Sequence, residues 1–107
     1  MKVTSNIENS NYIRWATGLI EPVINQAGIK CDEATVGDPY IWIALDGAEH
    51  LIRICNIESV QYDSQGNPCI EKVSYTLYKN VSDGDGKYHP EEVCSGDVII
   101  EAKRPQL

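Results

Sequence analysis

The sequence contains no phenylalanine, only two histidines, and nine basic residues against sixteen acids. It also lacks any run of eighteen apolar residues, the minimum for a membrane-crossing helix. The opening MKVTSNIENS has no apolar core of the kind a secretory signal needs. These two absences lead to the expectation of a cytoplasmic chain whose thiols stay reduced. The four cysteines stand at Cys31, Cys55, Cys69 and Cys94, so no CxxC pair exists and a zinc ribbon or knuckle is excluded. Free, mostly buried thiols are the reading that remains.

The shortage of bases excludes a second class. The only basic cluster is Lys103-Arg104, and the aromatics are not interleaved with lysine or arginine. Phosphate contacts would work against a net charge of −7. Gly84 and Gly86 each follow an aspartate, which repels phosphate, so no phosphate-binding loop is read there. Nucleic acid is therefore not expected as a partner. No cofactor is expected either.

What the chain does contain fits one domain over residues 1–107, with 1–9 and 103–107 as loose ends. Its 42% apolar and 23% charged residues are ordinary for a globular protein. Ile13, Ala16, Ile20, Val23, Ile24 and Ala27 recur with a helical period, with Trp15 and Leu19 beside that stripe. Asn9, Ser10 or Asn11 can cap the helix, and Gly28 followed by Ile29 fits its C-terminal end. Pro22 predicts a kink near Gly18, since its ring crowds that turn and it has no N–H to donate.

Strands follow the helix. A short edge strand is read near 30–35, then Tyr40 to Leu45, apolar on both faces and hence central. Asp46-Gly47 signals a hairpin into the run from Leu51, which a bulge or break separates from Glu58 to Tyr62. After the turn cluster at Asp63 to Pro68, Cys69 to Tyr78 alternates, with Val73, Tyr75 and Leu77 on one face. A long loop is expected over Asn80 to Tyr88, a single helical turn over His89 to Val93, and a last strand over Val98 to Ala102. The fold class is α+β: one kinked N-terminal helix packed on an antiparallel sheet of four to five strands. Short connections leave no room for a βαβ crossover.

None of the chemistry-bearing groups forms a catalytic pattern. Asp83-Gly84-Asp85-Gly86 opens like a calcium loop, but the later ligands of the twelve-residue pattern are missing, so a hairpin turn explains it and no metal is expected. His50 and His89 have no nucleophile beside them in sequence, and Cys94-Ser95-Gly96-Asp97 has no cation to activate its thiol. Adjacent Glu91 and Glu92 read as a solvated face. The chain is expected not to be an enzyme.

Charge distribution is more informative. Residues 1–30 carry +1 and residues 31–107 carry −8, so the acids belong to the sheet and its turns. Such a field favours a protein partner with a basic surface and speeds its association. Asp46, Glu49, Asp63, Asp83, Asp85, Glu91 and Glu92 are the expected contact residues. The eight tyrosines and tryptophans support a binding face as well, since these residues anchor interfaces. In size and charge the chain resembles small acidic inhibitors such as immunity proteins and the anti-defence proteins of phages and mobile elements. That resemblance implies a non-catalytic protein that binds and inhibits a basic partner. Two alternatives stand beside it. One is a ligand-binding or enzymatic domain with a pocket between helix and sheet around Trp15, Trp42, Tyr75 and His50. The other is a homo-oligomeric structural subunit, a homodimer in its simplest form.

Overall fold

The computed structural model describes residues 1–5, 10–37, 42–66 and 68–101, without the side chains of Ser10, Asn11, Ser59 and Pro68. Their order is β1 (Lys2–Ser5), α1 (Ser10–Ala27), β2 (Glu33–Val36), β3 (Trp42–Leu45), β4 (His50–Tyr62), β5 (Pro68–Ser82) and β6 (Tyr88–Ile100). The α+β class with a single helix holds for these residues. No helix among them is long and apolar enough to cross a membrane.

The helix spans the expected residues and contains Pro22, which is exposed. Its buried face is centred differently from the sequence stripe. Tyr12, Trp15, Ala16, Leu19, Ile20 and Val23 are fully buried, whereas Ile13, Ile24 and Ala27 are only half-covered. The two largest apolar side chains, Trp15 and Leu19, remove more area from water than the smaller residues read as the stripe, and they set the rotation. The helix ends in a Schellman motif: Ile29 N–H donates to Ile24 O at 3.1 Å and Gly28 N–H to Asn25 O at 3.3 Å, with Gly28 at φ 68°. Asn9, one of the expected caps, lies outside the described residues.

Six strands form one mixed sheet in the order β1-β2-β3-β4-β5-β6. This corrects the expectation of four to five strands, all antiparallel. Lys2–Ser5, read as part of a loose arm, is strand β1 and runs parallel to β2. The connection that parallel neighbours require is α1 itself, so a crossover unit exists where short loops seemed to exclude one. Four residues with a single apolar side chain carry no readable alternation. Their position comes instead from Lys2 N–H donating to Asp32 O at 2.8 Å and from Val3 packing on the core. Residues 6–9 and 103–107, read as the rest of the loose ends, lie outside the described residues, as does Ala102 of the expected last strand.

Two further corrections concern the C-terminal half. His89 to Val93 is not a helical turn but the first part of β6, and the loop before it shrinks to residues 83–87. Pairing to β5 outweighs the local helix signal, and Pro90 is tolerated because β6 is the last strand in the order. In β3 only Ile43 and Leu45 are buried, while Trp42 is 42% exposed. That strand is interior to the sheet yet covered on one face only, because α1 packs on one side. The sequence Glu58 to Tyr62 does continue β4, past a register shift between Ile54 and Asn56.

The core lies between α1 and the inner face of the sheet. Tyr12 stacks near Trp15 and donates its hydroxyl to Gly37 O at 2.9 Å, tying the start of α1 to the end of β2. Trp15 Nε1 donates to Glu71 Oε2 at 3.3 Å across a fully buried contact between helix and β5. On the same face Tyr75 donates to Gln26 Oε1 at 3.1 Å. Its ring lies over Gly96, where an added Cβ would meet the hydroxyl at 3.3 Å.

Burial raises the Tyr75 hydroxyl above the ordinary tyrosine value of 10.0, and the Cys94 and Asp97 charges raise it further. A folded pKa above the unfolded one means folding favours the protonated phenol. Its contribution is present below about pH 10 and is lost as pH rises beyond it. Tyr75→Phe is therefore expected to cost about 1 kcal/mol at pH 8 through the lost hydrogen bond. The gap to wild type should narrow between pH 8 and pH 11 in urea titrations.

Candidate functional site

Side chains alternate across a strand, so the residues between the core positions point to the face that α1 does not cover. On that outer face the register sets Trp42 opposite Arg53, Arg53 opposite Thr76, and Leu51 opposite both Ala44 and Tyr78. Trp42 and Tyr78 bring their rings to 5.5 Å between centroids at 45°, and Arg53 Cζ lies 6.0 Å from the Trp42 ring centre. Beyond Tyr78 the next strand presents Glu92 directly opposite. An aromatic pair with a guanidinium over it and a carboxylate beside it thus sits on an open sheet face.

This cluster was only partly readable beforehand. Trp42 and Tyr78 are among the aromatics expected to support a binding face, but nothing in the sequence marks Arg53 as their companion. No two of the three are close in sequence, and only the register brings them together. Of the other aromatics, Tyr12, Trp15 and Tyr75 belong to the core, Tyr62 and Tyr88 are exposed at 63% and 66%, and Tyr40 lies outside the described residues. With Trp15 and Tyr75 on the inner face and Trp42 on the outer one, these residues do not line a common pocket. His50, opposite Leu45 and Lys79, is not joined to them either. Trp42, one of the four residues expected around a pocket between helix and sheet, thus lies on the face away from the helix.

The acids divide between two ends of the sheet. The turn at residues 46–49 and the hairpin end at 83–87 are neighbours, since His50 pairs with Lys79 and Asn80 N–H donates to Glu49 O at 3.0 Å. That end collects Asp46, Glu49, Asp83, Asp85, Glu91 and Glu92. Asp63 is at the other end, in the turn after Tyr62, where it accepts Gln65 N–H at 2.9 Å. The length of β4 separates it from the rest by roughly 40 Å. Glu91 and Glu92 point to opposite faces: Glu91 reaches His89 Nε2 at 3.3 Å, while Glu92 shares the outer face with Tyr78.

Asp46 differs from the others. Its Oδ1 accepts Asp32 N–H at 3.0 Å and Glu33 N–H at 2.9 Å, and its own N–H donates to Glu33 O at 2.8 Å. The carboxylate is spent on holding the start of β2, and the residue sits at φ 46° to do so. Burial, and then the charge of Asp46, push the nearby Cys31 thiol up, so it is a weak nucleophile. Its Sγ lies 3.2 Å from Glu33 O. All four cysteines are free.

Between the two turns lies an open cleft of about 480 Å³ lined by Asp46, Gly47, Ala48, Glu49, Asn80 and Tyr88. It has a carboxylate on one side and an exposed phenol ring on the other. Among the described residues no group of three or more His, Cys, Asp or Glu side chains is placed to hold a metal ion. Comparison with protein-family models, curated proteins and solved structures finds no match to this chain.

The contrast between Asp46 and Glu49 is open to measurement. Asp46→Ala leaves two backbone amides without their acceptor and is expected to cost about 1–3 kcal/mol. Glu49→Ala, at an exposed position in the same turn, should change stability by less than about 0.5 kcal/mol. Urea denaturation of both variants checks the difference.

Proposed function

We propose that this chain is a non-catalytic binding protein that docks a basic surface of another protein at the acidic end of its open sheet face, and inhibits that partner by covering it. The observation that carries the reading is the Trp42–Tyr78 pair. It lies on the uncovered face with Trp42 exposed and Tyr78 half-exposed, under Arg53 and opposite Glu92, next to the turns that hold Glu49, Asp83 and Asp85. Interfaces draw their energy from a few large aromatic and arginine anchors, and charged surroundings contribute orientation and association rate. The cleft between Glu49 and Tyr88 has the dimensions and chemistry to receive a lysine or arginine side chain of the partner.

The contact set that follows is narrower than the acidic residues taken together. Glu49, Asp83, Asp85 and Glu92 join Trp42, Tyr78 and Tyr88 in it. Asp46 acts on the fold, Asp63 is too distant, and Glu91 faces the other side of its strand.

Capture of the partner from host lysate on the tagged chain, at about 50 and 500 mM salt, gives the test, because screening rises sharply over that span. A basic protein held at low salt and weakened at high salt is expected. Trp42→Ala should weaken the purified pair by at least about 30-fold, the scale of an interface hot spot. Reversing Glu49, Asp83, Asp85 and Glu92 to lysine should slow association by a factor of ten or more. If the fourfold reversal and Trp42→Ala both leave binding unchanged, the proposal is wrong.

A further inference from the structure

Strand β6 ends the strand order, so its outer edge has no neighbouring strand among the described residues. The edge is not uniform. Pro90 lacks an N–H, and the register shift between Leu77 and Tyr78 leaves Val93 out of step, which blunts the first half for pairing. From Cys94 to Ile100 the ladder with β5 is regular over seven successive pairs. A regular strand with one paired side presents a row of backbone donors and acceptors on the other. Beside this half runs an open groove of about 510 Å³ between Arg14, Thr17, Gly18 and Glu21 of α1 and Ile99, Ile100 and Glu101. Gly18 keeps the helix close here, since a Cβ at that position would meet Ile100 Cγ2 at 3.2 Å.

We infer that Cys94–Ile100 accepts an extended basic segment of the partner protein as an added strand, seated in the groove along α1. The inference rests on the reading that the partner is basic, and it names how part of that partner is held. Charge selects the occupant. From Cys94 to Glu101 the edge carries Asp97 and Glu101 and no lysine or arginine. Asp97 also accepts from Ser74 Oγ at 2.8 Å and lies 3.7 Å from the exposed Lys72 Nζ, and Glu21 offsets Arg14 across the groove. A second copy paired antiparallel about Asp97 would set that carboxylate against its own mate. Like charges directly opposite oppose pairing, whereas lysines at alternate positions of an incoming strand would meet carboxylates. Main-chain bonds hold such a strand and side chains choose it.

The probe is an acetylated, amidated heptapeptide of alternating lysine and valine, titrated into the full chain by NMR. Two further peptides carry N-methyl groups on the odd or on the even residues, and a fourth has glutamate in place of lysine. An extended peptide shows odd amides along one edge and even amides along the other, so strand addition needs only one set. The expected result is shifts confined to residues 94–101 and α1, and at least tenfold weaker binding for one methylated peptide. The other methylated peptide should bind within about twofold of the parent, and the glutamate peptide should not bind. Asp97→Lys should weaken the parent peptide several-fold.

No binding by the lysine peptide, equal binding by both methylated forms, or equal binding by the glutamate form would overturn the inference. So would sedimentation showing a dimer that Asp97→Lys dissolves. If the lysine peptide shifts Trp42 and Tyr78 regardless of methylation, strand addition fails while the acidic-face reading stands. If the peptide results hold but the fourfold charge reversal and Trp42→Ala both leave partner binding unchanged, the edge assignment stands and the broader reading fails.

Discussion

Trp15 sits at the centre of the contact on which the rest of the molecule depends. It is fully buried between α1 and β5, and its indole N–H is bonded to a carboxylate, Glu71, that is itself fully buried on the sheet. Removing a carboxylate from water is costly unless it is hydrogen-bonded, so this contact is tolerated only where helix and sheet meet in one arrangement. Tyr12 to Gly37 and Tyr75 to Gln26 fix the two ends of the same seat. With α1 held there, one face of a six-stranded sheet is covered and the other is left in water.

The open face follows from that asymmetry. A single helix of eighteen residues cannot shield two sides of a sheet whose three longest strands have thirteen, fifteen and thirteen residues. Beyond the helix, β4, β5 and β6 run on as exposed ribbons, which accounts for an elongated body of 54 × 27 × 21 Å. The turns at one end of those ribbons carry Asp46, Glu49, Asp83 and Asp85. The same geometry leaves Trp42 exposed and Tyr78 half-exposed, with Arg53 over the Trp42 ring and Glu92 opposite Tyr78, the combination the proposed partner would recognise.

Much of this was legible in the residues. The helix bounds, its Gly28 end, the Asp46-Gly47 turn and the alternation of Val73, Tyr75 and Leu77 all rest on local rules that tertiary packing did not override. Glu71 shows why other parts were not. It occupies the buried phase of that alternation, two residues before Val73, yet its charge marks it as solvent-facing until Trp15 is known to lie above it. Strand β1 leaves no local mark because its pairing is long-range, and His89 to Val93 imitates a helix start through Pro90 and two acids. The acids were found as residues but not as a site. Which of them share an end, which one supports the fold, and that Arg53 joins Trp42 all depend on register, which spacing along one chain does not encode.

Hydroxyl-radical footprinting of the chain, alone and bound to its captured partner, tests the central claim most directly. Docking on the open face predicts that Trp42, Tyr78 and Tyr88 lose reactivity while exposed Tyr62 at the far end keeps it and buried Trp15 stays unreactive in both states. Undiminished labelling of Trp42 in the complex, with protection at Tyr62 instead, would contradict it.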